Sequence, residues 1–226
     1  MAFRFERGII MWKENKKTVI LTSVISLLPI LIGIIFWNQL PDRIATHFGY
    51  SGEPNGWSSK WFAVFGLPAL VTFIHLLCVF GTGNDPRYHK YPEKMKKIVL
   101  WICPVCSWIC ALGTYGYELN GKTLSIEWIM AFMGLVFVII GNYLPKIKQN
   151  YYLGIKLPWT YASEDNWNKT HRLGGKVWVV GGIFIMMNVF LKVKYLEVVM
   201  MVVMILIPTI YSYLYSRKEL QKGSES

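Results

Sequence analysis

Charged residues are scarce in this chain of 226 residues. Asp, Glu, Lys and Arg together make up 16% of it, against roughly 25% in an ordinary soluble domain. Apolar side chains take their place: they form 54% of the sequence and give it a positive mean hydropathy. The composition excludes a typical soluble globular fold and indicates that the lipid bilayer is the solvent.

Recognisable catalytic motifs are missing as well. The sequence has no HExxH, no nucleophile elbow and no phosphate-binding loop, and no His and carboxylates cluster within its apolar runs. Two of its four histidines, His47 and His171, are predicted on opposite sides of the membrane, where they cannot share a metal ion. We therefore predict a non-enzymatic protein with no metal and no cofactor.

Cysteine is absent from the predicted outward loops. Cys78 lies in the second apolar run, and Cys103, Cys106 and Cys110 lie on one helical face of the third. One interpretation is that they are packing residues at a helix contact. The other is an intramembrane thiol oxidoreductase that uses the CPVC pair, Cys103 and Cys106. Such an enzyme usually needs a second thiol pair in an outward loop, and we predict no structural disulfides.

Six long apolar runs account for most of the chain. Each approaches or reaches the roughly 20 residues that a membrane-spanning helix needs, and none contains Lys or Arg. Four of them contain a proline, at which a kink is expected. We predict an all-α membrane protein, a polytopic bundle of six transmembrane helices. The runs are Thr18–Asn38, Trp61–Phe80, Ile98–Tyr117, Trp128–Leu144, Val177–Leu191 and Leu196–Tyr215, and the prolines are Pro29, Pro68, Pro104 and Pro208.

One histidine, His75, lies inside the second run between Ile74 and Leu76. A titratable side chain within a span is a functional candidate by default. The preferred interpretation is a buried histidine whose ring bonds to a neighbouring carbonyl or hydroxyl group. The alternative is a polar pathway in a transporter or exporter of a peptide or amphiphile, which would need a hydrated cavity around this ring.

Lysine and arginine are distributed unequally between the predicted loops. Nineteen of the 24 lie in the two tails and in the second and fourth loops, so the positive-inside rule places both termini in the cytoplasm. The basic residues also attract membrane lipids with anionic headgroups, whereas their scatter argues against direct nucleic-acid binding. The predicted single membrane domain, 1–226, comprises a tail (1–17), four spans (18–144) with an outward loop (39–60), a cytoplasmic loop (145–176), two spans (177–215) and a tail (216–226).

The first predicted outward loop combines turn residues with aromatic residues. It reads LPDRIATHFGYSGEPNGWSSKW, residues 40–61, and its glycines and prolines predict a succession of turns. One interpretation is a compact segment lying on the lipid headgroups. The other is a small receptor surface, in which His47 offers a polar contact. Phe48 and Trp57 would add flat apolar contacts, and aromatic residues often dominate the energy of peptide binding.

The longest hydrophilic segment, residues 150–176, reads NYYLGIKLPWTYASEDNWNKTHRLGGK and is predicted in the cytoplasm. Ser163 has the features of a helix N-cap, and Asp165 and Lys169 have the spacing of an ion pair one turn apart. The glycines then repeat at seven-residue intervals, which predicts a smooth face where another helix can approach closely. These helix-packing candidates are Gly174, Gly175, Gly181 and Gly182.

Two interpretations of this segment remain open. It can be an interfacial linker anchored by aromatic residues, or a docking or switch surface for a partner. In the second case Trp167 and His171, which share one helical face, and Arg172 are expected to be exposed.

The stretch GNYLPKIKQNYYLGIKLPWTYASEDNWNKTHRLGGK, residues 141–176, resembles the signature of the SdpI family of bacterial membrane proteins. That signature reads approximately NxLPxxxxNxxxGIRTPWTL, followed by a Glu, a Trp and KTHRxxG. The chain departs from it at Lys156, where Arg is usual and can make a bidentate contact that Lys cannot, and at Leu157, where Thr is usual. LPDRIATHFGYSGEPNGW resembles a module often found upstream in these proteins, with departures at Ala45 and Asn55. The matching positions are Asn142, Leu144, Pro145, Asn150, Gly154, Ile155, Pro158, Trp159, Thr160, Glu164, Trp167, Lys169, Thr170, His171, Arg172 and Gly175.

The resemblance implies a function. The family's namesake protects a producing bacterium from its own secreted, membrane-active killing peptide, and it captures a cytoplasmic autorepressor when the toxin is present. For this chain it implies a multi-pass protein of the bacterial cell membrane with two candidate partners, a toxin peptide outside and a small helix-turn-helix repressor inside. The toxin-facing candidates are His47, Phe48, Gly52 and Trp57. The docking or switch candidates are Asn150, Gly154, Pro158, Trp159, Glu164, Trp167, Thr170, His171 and Arg172.

A mechanism connecting the two surfaces follows as a hypothesis. Toxin contacts within 47–57 would bias the helix packing at the glycines of 174–182, and the 167–172 helix would then be exposed to the repressor. Such coupling requires toxin and repressor to favour the same state of the bundle.

Overall fold

The structure is a computed structural model that describes residues 10–49, 53–121 and 126–224. In this part of the chain six helical segments are long and apolar enough to cross a membrane, as the sequence predicts. The six segments are Ile10–Ile35, Phe62–Gly83, Glu93–Asn120, Trp128–Lys146, Glu164–Leu191 and Leu196–Gln221.

The helices are numbered α1 to α8 in chain order. Short irregular turns flank them, namely a π-helical turn at Phe62–Gly66 and 3₁₀ turns at Tyr88–Lys90 and Leu144–Lys146. The helices are α1 (Ile10–Leu27), α2 (Pro29–Ile35), α3 (Leu67–Gly83), α4 (Glu93–Asn120), α5 (Ile126–Tyr143), α6 (Pro158–Ala162), α7 (Glu164–Leu191) and α8 (Leu196–Ser224).

The prolines of the spans affect the helices differently. Pro29 begins α2 directly after the end of α1, so it divides the first span in two. Pro68 lies at the start of α3, after the π-helical turn. Pro104 and Pro208 lie inside α4 and α8, which continue past them.

The fifth span is longer than its apolar run predicts. The sequence gives Val177–Leu191 as a short run, whereas α7 is one helix from Glu164 to Leu191. The helix that the Ser163 cap predicts is therefore the first part of the spanning helix. As a result, the packing of the span fixes the orientation of the side chains in the polar segment.

The first predicted outward loop contains a β-hairpin, so the expectation of a mere succession of turns is wrong. Strand β1 (Arg43–Phe48) pairs antiparallel with β2 (Pro54–Ser59). Ala45 lies opposite Trp57, and the register shifts between Ala45 and His47 and again between His47 and Phe48. β1 ends at Phe48 and β2 begins at Pro54, and Ile44 and Ala45 of β1 are buried.

The chain divides into two compact units, Met1–Pro86 with Glu93–Ile129, and Arg87–Pro92 with Met130–Ser226. In the first unit, the hairpin and the adjoining helices share an apolar core. The backbone N–H of Ala45 donates to Glu118 Oε1 of α4 at 2.7 Å, and Phe48 packs edge-on against Tyr117. The core comprises Leu40, Ile44, Ala63, Val64, Ala111 and Tyr115.

Polar side chains bond to one another between the helices of the first unit. His75 is fully buried, and its Nε2 lies 2.9 Å from Thr22 Oγ1, which confirms the preferred interpretation of this histidine. Ser26 and Thr72 hydroxyls lie 2.7 Å apart, and Ser107 Oγ donates to the Ser26 carbonyl. These bonds connect α1 with α3 and α4 where few other polar partners exist.

A small cavity of about 20 Å³ lies in the same unit, which is room for about one water molecule. It is lined by Ser107, Thr114 and Tyr115 among apolar side chains, and His75 does not line it. The four cysteines are free thiols, with Cys103 buried and Cys78 exposed. The second unit contains the motif segment, residues 145–176.

Candidate functional site

Asn150 organises the turn at the start of the motif segment. Its side chain is 1% exposed, and its Oδ1 accepts from the backbone N–H groups of Tyr152 and Leu153 at 2.9 and 2.7 Å. The same oxygen accepts from the hydroxyl of Tyr91 at 2.8 Å, while Nδ2 donates to the carbonyls of Lys148 and Leu153. An amide with both a carbonyl and an NH₂ group is needed to form this set of bonds.

Thr160 closes the second turn. Its hydroxyl accepts from the Leu157 N–H at 2.9 Å and lies within donating distance of the Ile155 and Leu157 carbonyls. Pro158 occupies the first position of α6, where its missing N–H is not needed. The motif residues Pro158 and Thr160 thus form the helical turn that leads into Ser163 and α7.

Trp167 and His171 form the centre of the site. Both are fully buried, and their rings are stacked with centroids 4.1 Å apart. Trp167 Nε1 donates to the Ile147 carbonyl at 2.8 Å. The motif segment is therefore wrapped around these two rings.

Both ring nitrogens of His171 have partners. The Ile155 N–H donates to Nε2 at 2.9 Å, so Nε2 is an acceptor. Nδ1 lies 2.8 Å from the Trp167 carbonyl and must therefore carry the proton. This pattern is that of the neutral imidazole in one tautomer, and it connects the segment before α6 to the side of α7.

Gly154 makes the close approach to His171 possible. Its φ is +108°, a conformation that side-chain-bearing residues rarely adopt. A Cβ at this position would overlap His171 Nε2 and lie 3.1 Å from Trp167 Cζ2. The motif glycine is thus required both by its backbone conformation and by the space it leaves.

The expectation that Trp167 and His171 are exposed to a partner is wrong. Their face of α7 is covered by 147–155 of the same chain, because the segment folds back onto it. Pro158, Glu164 and Arg172 are exposed. Trp159 is half-buried, with its ring 5.4 Å from that of Tyr213. Only these outward-facing candidates are available to a partner in this conformation.

The start of α7 has the predicted cap and ion pair. Ser163 Oγ accepts from the Asn166 N–H at 3.1 Å, and Lys169 Nζ lies 2.8 Å from Asp165 Oδ2. Both partners of this ion pair also contact the hydroxyl of Tyr215 in α8. Because these groups are exposed, the ion pair itself contributes little stability.

Buried polar contacts join α7 to α8 more firmly. Asn166 Nδ2 donates to the Ser212 carbonyl at 3.0 Å, and Asn166 Oδ1 accepts from the hydroxyls of Ser212 and Thr170. The motif residue Thr170 is therefore a fully buried structural residue. Further along, Asn188 Nδ2 donates to the buried Glu197 at 2.7 Å. Glu197 lies at the start of the sixth apolar run, and no motif or spacing in the sequence indicates this contact.

The four glycines of α7 contact two neighbours instead of presenting one face. A Cβ on Gly182 would lie 2.5 Å from the carbonyl oxygen of Gly134, and one on Gly175 would lie 2.7 Å from that of Gly141. Both of these partner glycines belong to α5. Gly181 packs against Met204 and Gly174 against Pro208, both of α8, and Gly174 also approaches Ile155 and Leu144. The predicted close helix contact is confirmed, with α5 as its partner.

Two open cavities adjoin the motif segment and share Lys148. The first, about 410 Å³, is lined by Arg87, Lys90, Lys148, Gln149 and Glu164. The second, about 350 Å³, is lined by Pro145, Lys148, Asp165, Asn168, Lys169 and Arg172. Basic side chains outnumber acidic ones in each. Within 10–49, 53–121 and 126–224, no three His, Cys, Asp or Glu side chains form a group that could hold a metal ion.

The toxin-facing candidates lie on the hairpin of the first unit. His47 is exposed and its Nδ1 is bonded to Asn55 Oδ1, and Trp57 is 51% exposed. Phe48 is only partly exposed because it packs against Tyr117. Gly52 lies outside the described residues. The hairpin therefore presents one imidazole and one indole ring at its surface.

Comparison with known proteins relates the motif segment to a described protein family. Residues 146–212 match the SdpI/YfhL protein family. The chain is 28% identical over 210 residues to the Immunity protein SdpI of Bacillus subtilis (strain 168), and the alignment covers 89% of this chain and 97% of that protein. The chain therefore resembles the SdpI/YfhL family over most of the motif segment and the helices that follow it. A second model, a domain of unknown function (DUF1648), matches residues 24–72. No solved structure matches the chain.

The SdpI/YfhL match includes the buried Trp167–His171 pair and its contacts with Ile147 and Ile155. It begins at the last residue of the 3₁₀ turn and ends at Ser212, the residue that bonds to Asn166. Sequence reasoning did not find Asn166 and Ser212, or the α5 glycines at 134 and 141. For the two glycines a signal was present, because the seven-residue interval between them is identical to that in α7.

Proposed function

We propose that this SdpI/YfhL-like protein confers immunity to a secreted, membrane-active killing peptide. The observation that carries the proposal is the extent of its similarity to an immunity protein, which covers nearly the whole of both chains. That extent includes the hairpin segment as well as the motif segment. A multi-pass membrane protein with six spans fits a target that acts at the membrane.

The hairpin is the proposed contact for the peptide. His47 and Trp57 are exposed on a two-stranded sheet held against α4 by the Ala45–Glu118 bond, so the surface is rigid. A rigid aromatic side chain loses little freedom on binding and buries a large area. In this proposal the hairpin faces the outside of the cell and both termini lie in the cytoplasm.

Expression in a toxin-sensitive strain tests the immunity role. Cells producing the wild-type chain should survive challenge with the killing peptide, whereas cells producing the His47→Ala/Trp57→Ala variant should lose most of that protection. Trp128→Ala is the matched control, because Trp128 is also an exposed tryptophan of the same unit but lies outside the hairpin. Sensitivity of the wild-type cells would reject immunity, and full protection by the hairpin variant would reject the binding surface.

A receptor role would extend the same function. We propose that a cytoplasmic helix-turn-helix repressor docks on the motif segment through the exposed residues Pro158, Glu164 and Arg172. The buried pair Trp167 and His171 would maintain the shape of this surface. If the toxin instead exposes that pair, the Ile155–His171 bond must break first, since it holds the covering segment in place.

Capture of a fluorescently labelled repressor distinguishes these roles. The probe is a small helix-turn-helix repressor produced in the same cells, and the wild-type protein should draw it to the membrane after toxin addition. The Glu164→Ala/Arg172→Ala variant should retain immunity but lose capture. Undiminished capture by this variant would exclude the exposed docking surface without affecting the proposal of immunity.

A further inference from the structure

We propose that the cavity lined by Arg87, Lys90, Lys148, Gln149 and Glu164 binds the headgroup of an anionic phospholipid that carries hydroxyl groups. The cavity measures about 410 Å³ and contains three basic side chains and one acidic side chain. The cavity shares Glu164 with the proposed docking surface, but lipid binding requires neither the toxin nor the repressor.

The arginine of the cavity is held in place before any ligand arrives. Arg87 Nη1 donates to the Gln149 carbonyl and to Gln149 Oε1, both at 2.8 Å. Gln149 is itself fixed, because its Nε2 donates to the carbonyls of Thr160 and Tyr161 at 3.0 and 2.9 Å. The motif turn therefore sets the position of the positive charge, and a preorganised cation loses less freedom when it binds an anion.

The two lysines provide the adjustable part of the site. Lys90 and Lys148 are exposed, and each carries an ammonium group on a flexible stem that can follow a phosphate. Glu164 lies in the same cavity as the first residue of α7. Its carboxylate repels a phosphate but accepts hydrogen bonds from hydroxyl groups, which favours a phosphoglycerol headgroup over a bare phosphate.

The cavity lies at the level where headgroups are found. Lys148 follows the fourth spanning segment, which ends at Lys146, and Glu164 begins the fifth. Beside it, the rings of Tyr151 and Tyr161 are stacked with centroids 6.2 Å apart, and the Arg87 guanidinium lies 5.7 Å from the centre of the Tyr151 ring. Exposed tyrosines next to basic side chains are typical of the membrane–water interface.

A lipid fits these observations better than an acidic protein segment. Headgroups are already present at high local concentration where the spans end, whereas a carboxylate-rich peptide would meet the carboxylate of Glu164. A cavity of this size also accommodates a single lipid headgroup more readily than it accommodates the surface of a folded protein.

Native mass spectrometry of the full-length protein in detergent tests the site. With equal amounts of dioleoyl phosphatidylglycerol and dioleoyl phosphatidylcholine, the wild type should retain the anionic lipid preferentially. Each lysine should contribute about fivefold to that preference, so Lys90→Gln/Lys148→Gln should lose most of it. Lys192→Gln/Lys194→Gln is the matched control, since both lysines are exposed in the same unit but lie between α7 and α8.

Competitors and one further variant in the same mass-spectrometry experiment identify the ligand. Inorganic phosphate or hexaglutamate at the lipid concentration should not displace phosphatidylglycerol, and displacement by either would overturn the lipid assignment. Glu164→Gln should lower the ratio of bound phosphatidylglycerol to bound phosphatidic acid, and an unchanged ratio would reject the hydroxyl contact. The whole proposal fails if the wild type shows no anionic preference or if both lysine pairs lower it equally.

Discussion

Gly154 is the residue on which the buried part of the site depends most directly. Its positive φ and the position of His171 Nε2 together exclude any side chain. We predict that Gly154→Ala lowers the thermal unfolding midpoint of the purified protein, since the backbone conformation alone costs roughly 1–2 kcal/mol. Gly121→Ala is the matched control: Gly121 also has a positive φ, but an added Cβ would meet open space. Equal shifts for both variants would show that the contact with His171 contributes nothing.

Thr160 allows a second test at the residue scale. Thr160→Val keeps the shape of the side chain but removes the hydroxyl that bonds to the Leu157 N–H and faces two carbonyls. Leaving buried groups without partners costs roughly 1–3 kcal/mol, so the variant should unfold at lower temperature and its 150–163 segment should be cleaved faster by protease. Thr209→Val should behave like the wild type, because the Thr209 hydroxyl bonds to a carbonyl of its own helix.

Local contacts of the site were predictable from the sequence, and distant ones were not. The Ser163 cap and the Asp165–Lys169 pair depend on residues three or four positions apart, so their spacing in the sequence is sufficient. The burial of Trp167 depends on Ile147, twenty positions earlier, and no periodicity within α7 reveals that partner. For the same reason the Trp167 ring, which was predicted to be exposed to a docking partner, is covered by another part of the chain.

At the scale of elements, α5 and α7 approach each other through paired glycines. Gly134 faces Gly182 and Gly141 faces Gly175, so backbone carbonyls occupy the space that side chains would need. Without a hydrophobic driving force between helices in lipid, such close packing is a main source of their association. The glycine repeat in α7 predicted a close contact, but its division between α5 and α8 required the three-dimensional arrangement.

Gly182→Ala is predicted to weaken this helix contact. The added methyl group would lie 2.5 Å from the Gly134 carbonyl oxygen, and overpacking of this kind typically costs about 1–3 kcal/mol. Gly113→Ala, in the middle of α4, should be neutral or slightly stabilising, because nothing lies within 4 Å of its Cβ position and alanine favours helix. Thermal unfolding of both variants in the same detergent provides the comparison. A stability loss in Gly113→Ala as large as that in Gly182→Ala would contradict it.

The hairpin consists of two strands in a segment that the sequence predicts to be a succession of turns. Glycine and proline residues in 49–56 are strong turn signals, and they concealed two strands of only six residues each. Burial of Ile44 and Ala45 against the adjoining helices stabilises the strands. An isolated two-stranded hairpin is marginal in water, so this one depends on the helices beneath it.

At the scale of the whole molecule, the distribution of basic residues makes a prediction about membrane orientation. Lys and Arg are concentrated in both tails and in two of the five loops, which predicts that the hairpin and the motif segment lie on opposite sides of the membrane. Asn55 and Arg172 are exposed reporters of these two surfaces. In a variant whose four cysteines are replaced by serine, Asn55→Cys should react with a membrane-impermeant maleimide in intact cells. Arg172→Cys should react only after the cells are opened. Labelling of Arg172→Cys in intact cells would place the motif segment outside, where it could not meet a cytoplasmic repressor. Labelling of neither position in intact cells would place the hairpin inside, where it could not meet a secreted peptide.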